Sequence, residues 1–256
     1  MSAVAAAAGL LGGARRIVVF TGAGVSTESG IPDFRSPGGL WTRYDPRLLG
    51  LRRYLADPAV RRLAWQLRRE LVAIGARPNA AHTACVRLAG HGRLAGVITQ
   101  NVDGLHTDAG LDPALVCELH GTGRWVVCLR CDGRTPMAAA LARVETGEED
   151  PACHACGGIL KSATVSFGQR IPEQVWQQAE ELTETCDAFV AVGSSLVVRP
   201  AAELPLRAAR RGVPVVVVNR EPTPLDRLAG AVCRGEAGTL LPALVDALRP
   251  ATQPGP

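Results

Sequence analysis

The chain has 256 residues, 47% of them apolar, with 28 basic against 24 acidic side chains and a formal net charge of +4. That length allows one large domain with a small module, or two modest domains, each with a sizeable core. A charge this small, spread along the chain, argues against nucleic acid or an anionic membrane as the main partner. Lys161 is the only lysine, and arginine supplies the rest of the positive charge. That bias reads as a mark of a GC-rich genome rather than as a binding device.

The first charged side chains are Arg15 and Arg16, after an apolar run of small residues. A secretory signal has the opposite polarity, and the run is too short to cross a bilayer. Residues 1–13 are therefore expected to form a flexible tail. No later segment approaches ~20 uninterrupted apolar residues. A cytoplasmic protein with reduced thiols is expected, so the eight cysteines need a reading other than disulfides.

Residues 15–20 (RRIVVF) predict a short buried strand, and a turn rich in glycine and serine follows over 21–30. Helical spacing of Leu63, Leu67, Leu71 and Ile74 predicts a helix over 55–74, with Pro58 in its first turn. A second helix is expected over 80–90, and a strand over 96–99 that feeds Gln100-Asn101-Val102-Asp103. Over 121–164 the texture changes to cysteine pairs, glycine and polar residues, which marks an insert. Then come a helix near 172–184, a strand over 188–192, the turn Gly193-Ser194-Ser195, a helix near 200–211, a strand over 213–218 and a last helix over 239–248. Short apolar strands alternating with helices predict an α/β fold: a Rossmann-like parallel sheet with helices on both faces.

A glycine turn after the first strand is where such sheets bind ligands, and Gly22-Ala23-Gly24 lets backbone amides approach a diphosphate. The third glycine of the dehydrogenase fingerprint is missing, with Thr27 in its place. No acidic residue ends a second strand about 20 residues on. Both points argue against hydride transfer. Cys128-x-x-Cys131 and Cys153-x-x-Cys156 are two knuckles 21 residues apart. Four thiolates in that pattern complete a tetrahedral shell for one structural zinc ion. Cys85, Cys117, Cys186 and Cys233 are scattered singly, as core residues are. His120 follows Glu118-Leu119 just before the insert, and an imidazole can exchange a proton near neutral pH. His106 reads as a positioning or packing residue. Gln100, Asn101 and Asp103 end a strand with groups able to bond ribose hydroxyls and a carboxamide.

The string from Gly22 to Ser36 (GAGVSTESGIPDFRS) resembles the signature of the sirtuin family. The likeness continues in order through Gln100-Asn101-Val102-Asp103, Leu119-His120-Gly121, the cysteine pairs, Phe167-Gly168, Gly193-Ser194-Ser195 and Val218-Asn219, covering residues 15–245. The resemblance implies an NAD-dependent protein-lysine deacetylase or deacylase in which NAD is a consumed co-substrate. It assigns His120 as general base, with Asn101 and Asp103 in the nicotinamide pocket. It assigns cofactor contacts to Gly22, Ala23, Gly24, Ser26, Asp33, Phe34, Arg35, Gln100, Gly193, Ser194, Ser195, Asn219, Arg220 and Glu221. Phe167 and Gly168 would hold the acyl-lysine protein or peptide. The implied chemistry is attack of the acyl oxygen on the nicotinamide ribose as nicotinamide leaves. His120 then takes a proton from a ribose hydroxyl, and O-acyl-ADP-ribose is released.

The implied organisation is a discontinuous NAD-binding domain (14–36, 76–120 and 165–250) and a small domain. The small domain joins a helical insert (37–75) to a zinc ribbon (121–164), and a tail follows at 251–256. Two departures from the family pattern stand out. Gln169 replaces the usual glutamate after Phe-Gly, with Ser166 where an apolar residue is common. Trp65-Gln66-Leu67-Arg68 stands where succinyl- and malonyl-preferring members carry Tyr-x-x-Arg, so acetyl or another neutral acyl group is expected. Two alternatives use the same features: mono-ADP-ribosyl transfer from the same pocket, and a non-catalytic NAD-sensing zinc-ribbon module.

Overall fold

A computed structural model of the chain describes residues 2–45, 50–248 and 250. Its strands, in chain order, are β1 (Ile17–Thr21), β2 (Leu94–Thr99), β3 (Val116–Glu118), β4 (Gly121–Cys128), β5 (Arg134–Pro136), β6 (Leu160–Thr164), β7 (Ala188–Val192), β8 (Val215–Val218) and β9 (Ala231–Cys233). The helices are α1 (Ala3–Leu11), α2 (Leu51–Ala56), α3 (Pro58–Ala73), α4 (Ala80–Gly90), α5 (Leu105–Asp108), α6 (Met137–Glu145), α7 (Glu173–Thr185), α8 (Glu203–Arg210) and α9 (Ala237–Ala247).

Six strands pair in parallel in the order β3-β2-β1-β7-β8-β9. β1, β7 and β8 read IVVFT, AFVAV and VVVV, and every residue in them is buried. Such strands need cover on both faces. Alternation sends Ile17, Val19, Val190 and Val216 to one face, against Leu11, Leu88 and Leu241 of α1, α4 and α9. Val18, Phe20, Phe189 and Val217 meet Ala179 and Leu204 of α7 and α8 on the other. The chain leaves β1 toward β2 and later returns on its far side as β7. That reversal of strand order opens a crevice at the carboxyl ends.

The second sheet, antiparallel and ordered β5-β4-β6, belongs to residues 121–164. Its core is shared with the helical insert. Trp65 of α3 is fully buried among Val126, Met137, Leu141 and Leu160. The helix expected over 55–74 is broken, because the Asp57 carboxylate caps a new helix by accepting the Ala59 N–H at 2.9 Å and Pro58 follows at its first position.

Within the flexible tail expected at 1–13, residues 3–11 form a helix instead. Ser2 caps α1, and Ala7 and Leu11 are fully buried against the sheet and α9. Alanine favours the helix, but docking is what holds a run this short. The edge strands β3 and β9, three residues each, were not anticipated from the sequence, since three residues carry no readable alternation. The predicted tail at 251–256 lies outside the described residues. Among the described residues no helix is long and apolar enough to cross a membrane.

Candidate active site

Parallel strands bring their carboxyl ends to one edge, so the segments after β1, β2, β3, β7 and β8 converge there. They open on a single cavity of about 1210 Å³. Ordinary small-molecule sites hold roughly 300–1,000 Å³, so this one has room for a dinucleotide and a second ligand. Every residue named above for catalysis, cofactor or substrate lines it: Gly22, Ala23, Gly24, Ser26, Asp33 to Arg35, Gln100, Asn101, Asp103, His120, Phe167, Gly168, the 193–195 turn and residues 219–221.

The glycines after β1 have a reason the sequence alone did not reveal. A Cβ on Gly24 would lie 2.9 Å from the Gly193 backbone, and the Gly24 N–H donates to the Gly193 carbonyl at 2.8 Å. The turns after β1 and β7 touch, and a side chain would separate them.

Buried polar side chains set the floor of the cavity. Asn101 donates both amide hydrogens, to the Gly22 carbonyl and to Ser26 Oγ, each at 3.1 Å. Ser26 Oγ donates to Asp103 Oδ2 at 2.8 Å, and Asp103 Oδ1 accepts the Leu105 N–H at 2.9 Å. Gln100 Nε2 donates to Ser194 Oγ at 2.8 Å, joining the segment after β2 to the turn after β7. With its amide spent, Asn101 offers the cavity only an acceptor, Oδ1.

His120 Nδ1 lies 3.0 Å from the Gln100 carbonyl. A carbonyl only accepts, so Nδ1 carries the proton and Nε2 keeps a lone pair. Burial lowers the His120 pKa below the usual range, opposed by the bond to Gln100. The ring is neutral at pH 7.

A local ion pair between Asp33 and Arg35 does not form. The Asp33 carboxylate accepts the backbone N–H groups of Arg35 and Ser36 at 3.0 and 2.9 Å and the Ser36 hydroxyl at 2.6 Å, while Arg220 approaches from across the cavity at 3.8 Å. Burial would raise its pKa, but these bonds and the Arg220 charge outweigh it and leave the carboxyl below the usual range. Arg35 instead donates to Ser195 Oγ at 3.4 Å. Phe34, Trp41 and Phe167 stack in series, with ring centroids 5.0 and 5.8 Å apart. Trp41 had no motif to flag it.

The four paired cysteines bring their Sγ atoms within 4.8 Å of one another, with Cys128–Cys156 at 3.5 Å and Cys131–Cys153 at 3.8 Å. A tetrahedral shell with Zn–S near 2.3 Å needs S···S separations of about 3.8 Å, so the set fits one zinc ion. His154 is not part of the cluster.

Residues 22–200 match the model of the Sir2 family. The chain belongs to the Sir2 family. An NAD-dependent protein deacetylase 2 of Streptomyces coelicolor is 51% identical over 235 residues, covering 91% of this chain and 97% of its own. An NAD-dependent protein deacylase 2 of Pyrobaculum aerophilum is 42% identical over 243 residues, covering 94% of each. Among solved structures, a Sir2 enzyme superposes with a TM-score of 0.87 at 39% identity, covering 95% of this chain and 96% of that one. A Sir2 variant with a deacetylated p53 peptide and 3′-O-acetyl-ADP-ribose gives 0.87 at 32% identity, covering 93% and 96%.

In this Sir2 chain the departures have structural meaning. Gln169 Oε1 accepts the Ser166 N–H at 3.1 Å and its own N–H donates to the Ser166 carbonyl at 2.9 Å, closing the turn that carries Phe167 and Gly168. Trp65 is core. Arg68 lines the cavity with its guanidinium donating to the Ala64 carbonyl at 2.8 Å and Ser162 Oγ at 2.7 Å. A phenol is nearby after all, on Tyr54, but it donates to the Leu160 carbonyl at 2.6 Å.

Proposed function

We propose that the chain removes acyl groups from lysine side chains of proteins with NAD as consumed co-substrate, and that His120 is the general base. The fixed tautomer of His120 carries this reading. Its Nε2 lone pair stands in the cavity formed by the strand ends, on a ring kept neutral by burial. When bound, NAD supplies a ribose carbon with nicotinamide as leaving group, and the acyl group departs as O-acyl-ADP-ribose. His120 Nε2 takes the proton of a ribose hydroxyl. Asn101 Oδ1 and the Asp103 carboxylate supply acceptors for ribose hydroxyl and carboxamide donors. The Phe34–Trp41–Phe167 stack keeps water from the reacting carbon. The substrate strand adds by backbone pairing at Phe167-Gly168.

Ile31, Leu67, Leu71, Val72 and Met137 line the part of the cavity beside the helical insert. Apolar walls there, with Arg68 and Tyr54 already hydrogen-bonded to protein, favour a neutral acyl group. The test is nicotinamide release with NAD and acetyl- or succinyl-lysine peptides. Release that requires acetyl-peptide, with acetyl recovered on ADP-ribose, supports the reading. Label from NAD on protein marks an ADP-ribosyltransferase, and no release at all marks a non-catalytic module. A large succinyl preference overturns the acyl assignment.

A further inference from the structure

Beneath the cavity floor lies a second set of polar side chains that the chemistry above does not use. Thr21 and Thr99 end β1 and β2 as register partners, 0% and 3% exposed, where a strand covered on both faces would ordinarily carry valine or isoleucine. Thr21 Oγ1 donates to Thr99 Oγ1 at 2.8 Å, and Thr99 Oγ1 also accepts the Asn101 N–H at 3.1 Å. His106 Nε2 lies 3.0 Å from Thr21 Oγ1. The Thr21 proton is committed to Thr99, so His106 Nε2 must be the donor.

The order of donation is therefore fixed from His106 through Thr21 to Thr99, which holds the Asn101 backbone. We propose that His106 is a positioning residue for the loop that carries Asn101 and Asp103. The loop leaves Thr99 and returns at His106. The two threonines join its ends from below, so the four groups close a ring under it. Asn101 sits at one end of this ring and reaches Ser26 and Gly22 with its side chain. Asp103 sits at the crest.

Two observations separate this from simple filling of the core. The bond to Thr21 is the only hydrogen bond the His106 side chain makes among the described residues, and its Nδ1 has no partner there. The one polar contact of the side chain is made to the ring. His106 is also held from behind. The His82 ring meets it at 4.9 Å and 61°, and His82 is itself fixed by the N-terminal capping box of α4, where its Nδ1 accepts the Asn79 N–H at 3.2 Å. Burial, then the neighbouring His82, pulls the His106 pKa down to about 3, so the donor does not change form across the working pH range.

The proposal rests on the deacylase reading, and wild-type activity on an acetyl-peptide checks that reading first. His106→Leu, His106→Gln, Thr99→Val and the double variant His106→Leu/Thr99→Val are then compared. The readouts are kcat and KM for NAD and peptide, with thermal melts alongside. Glutamine keeps an N–H where the imidazole had one. His106→Leu should lower kcat at least about tenfold with peptide KM within about twofold, while His106→Gln stays within about threefold of the parent. Adding His106→Leu to Thr99→Val should cost less than about twofold more, because the ring is already open. Should His106→Leu fail to fold, Thr99→Val, which keeps the imidazole and nearly the same side-chain volume, carries the same kcat expectation. The proposal is overturned by an active wild type with any one of three results: parent kcat in the folded His106→Leu or Thr99→Val variant, His106→Gln no better than His106→Leu, or multiplicative losses in the double variant.

Discussion

Single side chains here are defined by what they have already given away. Asn101 has no amide hydrogen left, and His120 has given its Nδ1 proton to Gln100. What remains, Oδ1 and a lone pair on Nε2, is what the chemistry can use. His120→Tyr removes the proposed base and leaves the floor of the cavity intact. Deacylation should fall about 10²–10⁴-fold, while NAD binding, followed by calorimetry or fluorescence, should persist. A variant deacylating at the parent rate would remove His120 from the mechanism. Most of these residues were legible in the sequence because the motifs are local strings at strand ends. Their partners were not. Asp33 faces Arg220 rather than Arg35, a pairing that only the closing of the sheet creates.

At the scale of elements, two segments depend on contacts their own sequence does not contain. α1 looks like a featureless alanine run until Leu11 is seen fully buried beside β9 and α9. Leu11→Ala should destabilise the protein by about 2–5 kcal/mol in denaturant unfolding, whereas a true tail would give no change. The 121–164 module has a small core, shared with Trp65, and four converging thiols. One zinc per chain is expected by elemental analysis. Stripping it with a strong chelator, or Cys131→Ser, should unfold this module first, since structural zinc supplies roughly 10–16 kcal/mol of binding free energy. Loss of near-UV signal from Trp65 and Trp125, with helical far-UV signal from the larger domain retained, would report it. The knuckle spacing was readable from sequence, because two residues between thiols fix local geometry. That Trp65 of the helical insert completes the module's core was not.

Over the whole molecule, buried imidazoles set an acid limit. His82, His106 and His120 all have lowered pKa values, with burial the main cause, and His106 falls to about 3. In the unfolded chain each takes up a proton near pH 6.5. Between that pH and its own folded value, each ring makes the unfolded state bind more protons, so stability must fall as pH drops. The melting temperature should be flat between about pH 7 and 8 and decline from about 6.5 downward. Asp33 and Asp226, whose pKa values are lowered, add a second loss only below about pH 4. His106→Gln should flatten the upper limb, and an unchanged slope would show that this ring titrates normally. Deacylation should keep its activity below pH 6.5, failing only where Nε2 of His120 gains a proton.

The chain's own order of residues determined the strand-helix rhythm, the turns that line the cavity, the metal knuckles and the family, since each is written in a few neighbouring positions. Tertiary structure alone decided which turns touch, as with Gly24 against Gly193. It also decided that the N-terminal helix docks, that three-residue edges become strands, and that His106 meets Thr21. Those contacts join residues far apart in the chain. Their free energy comes from burial and from hydrogen bonds shielded from water, and neither exists until the sheet has closed.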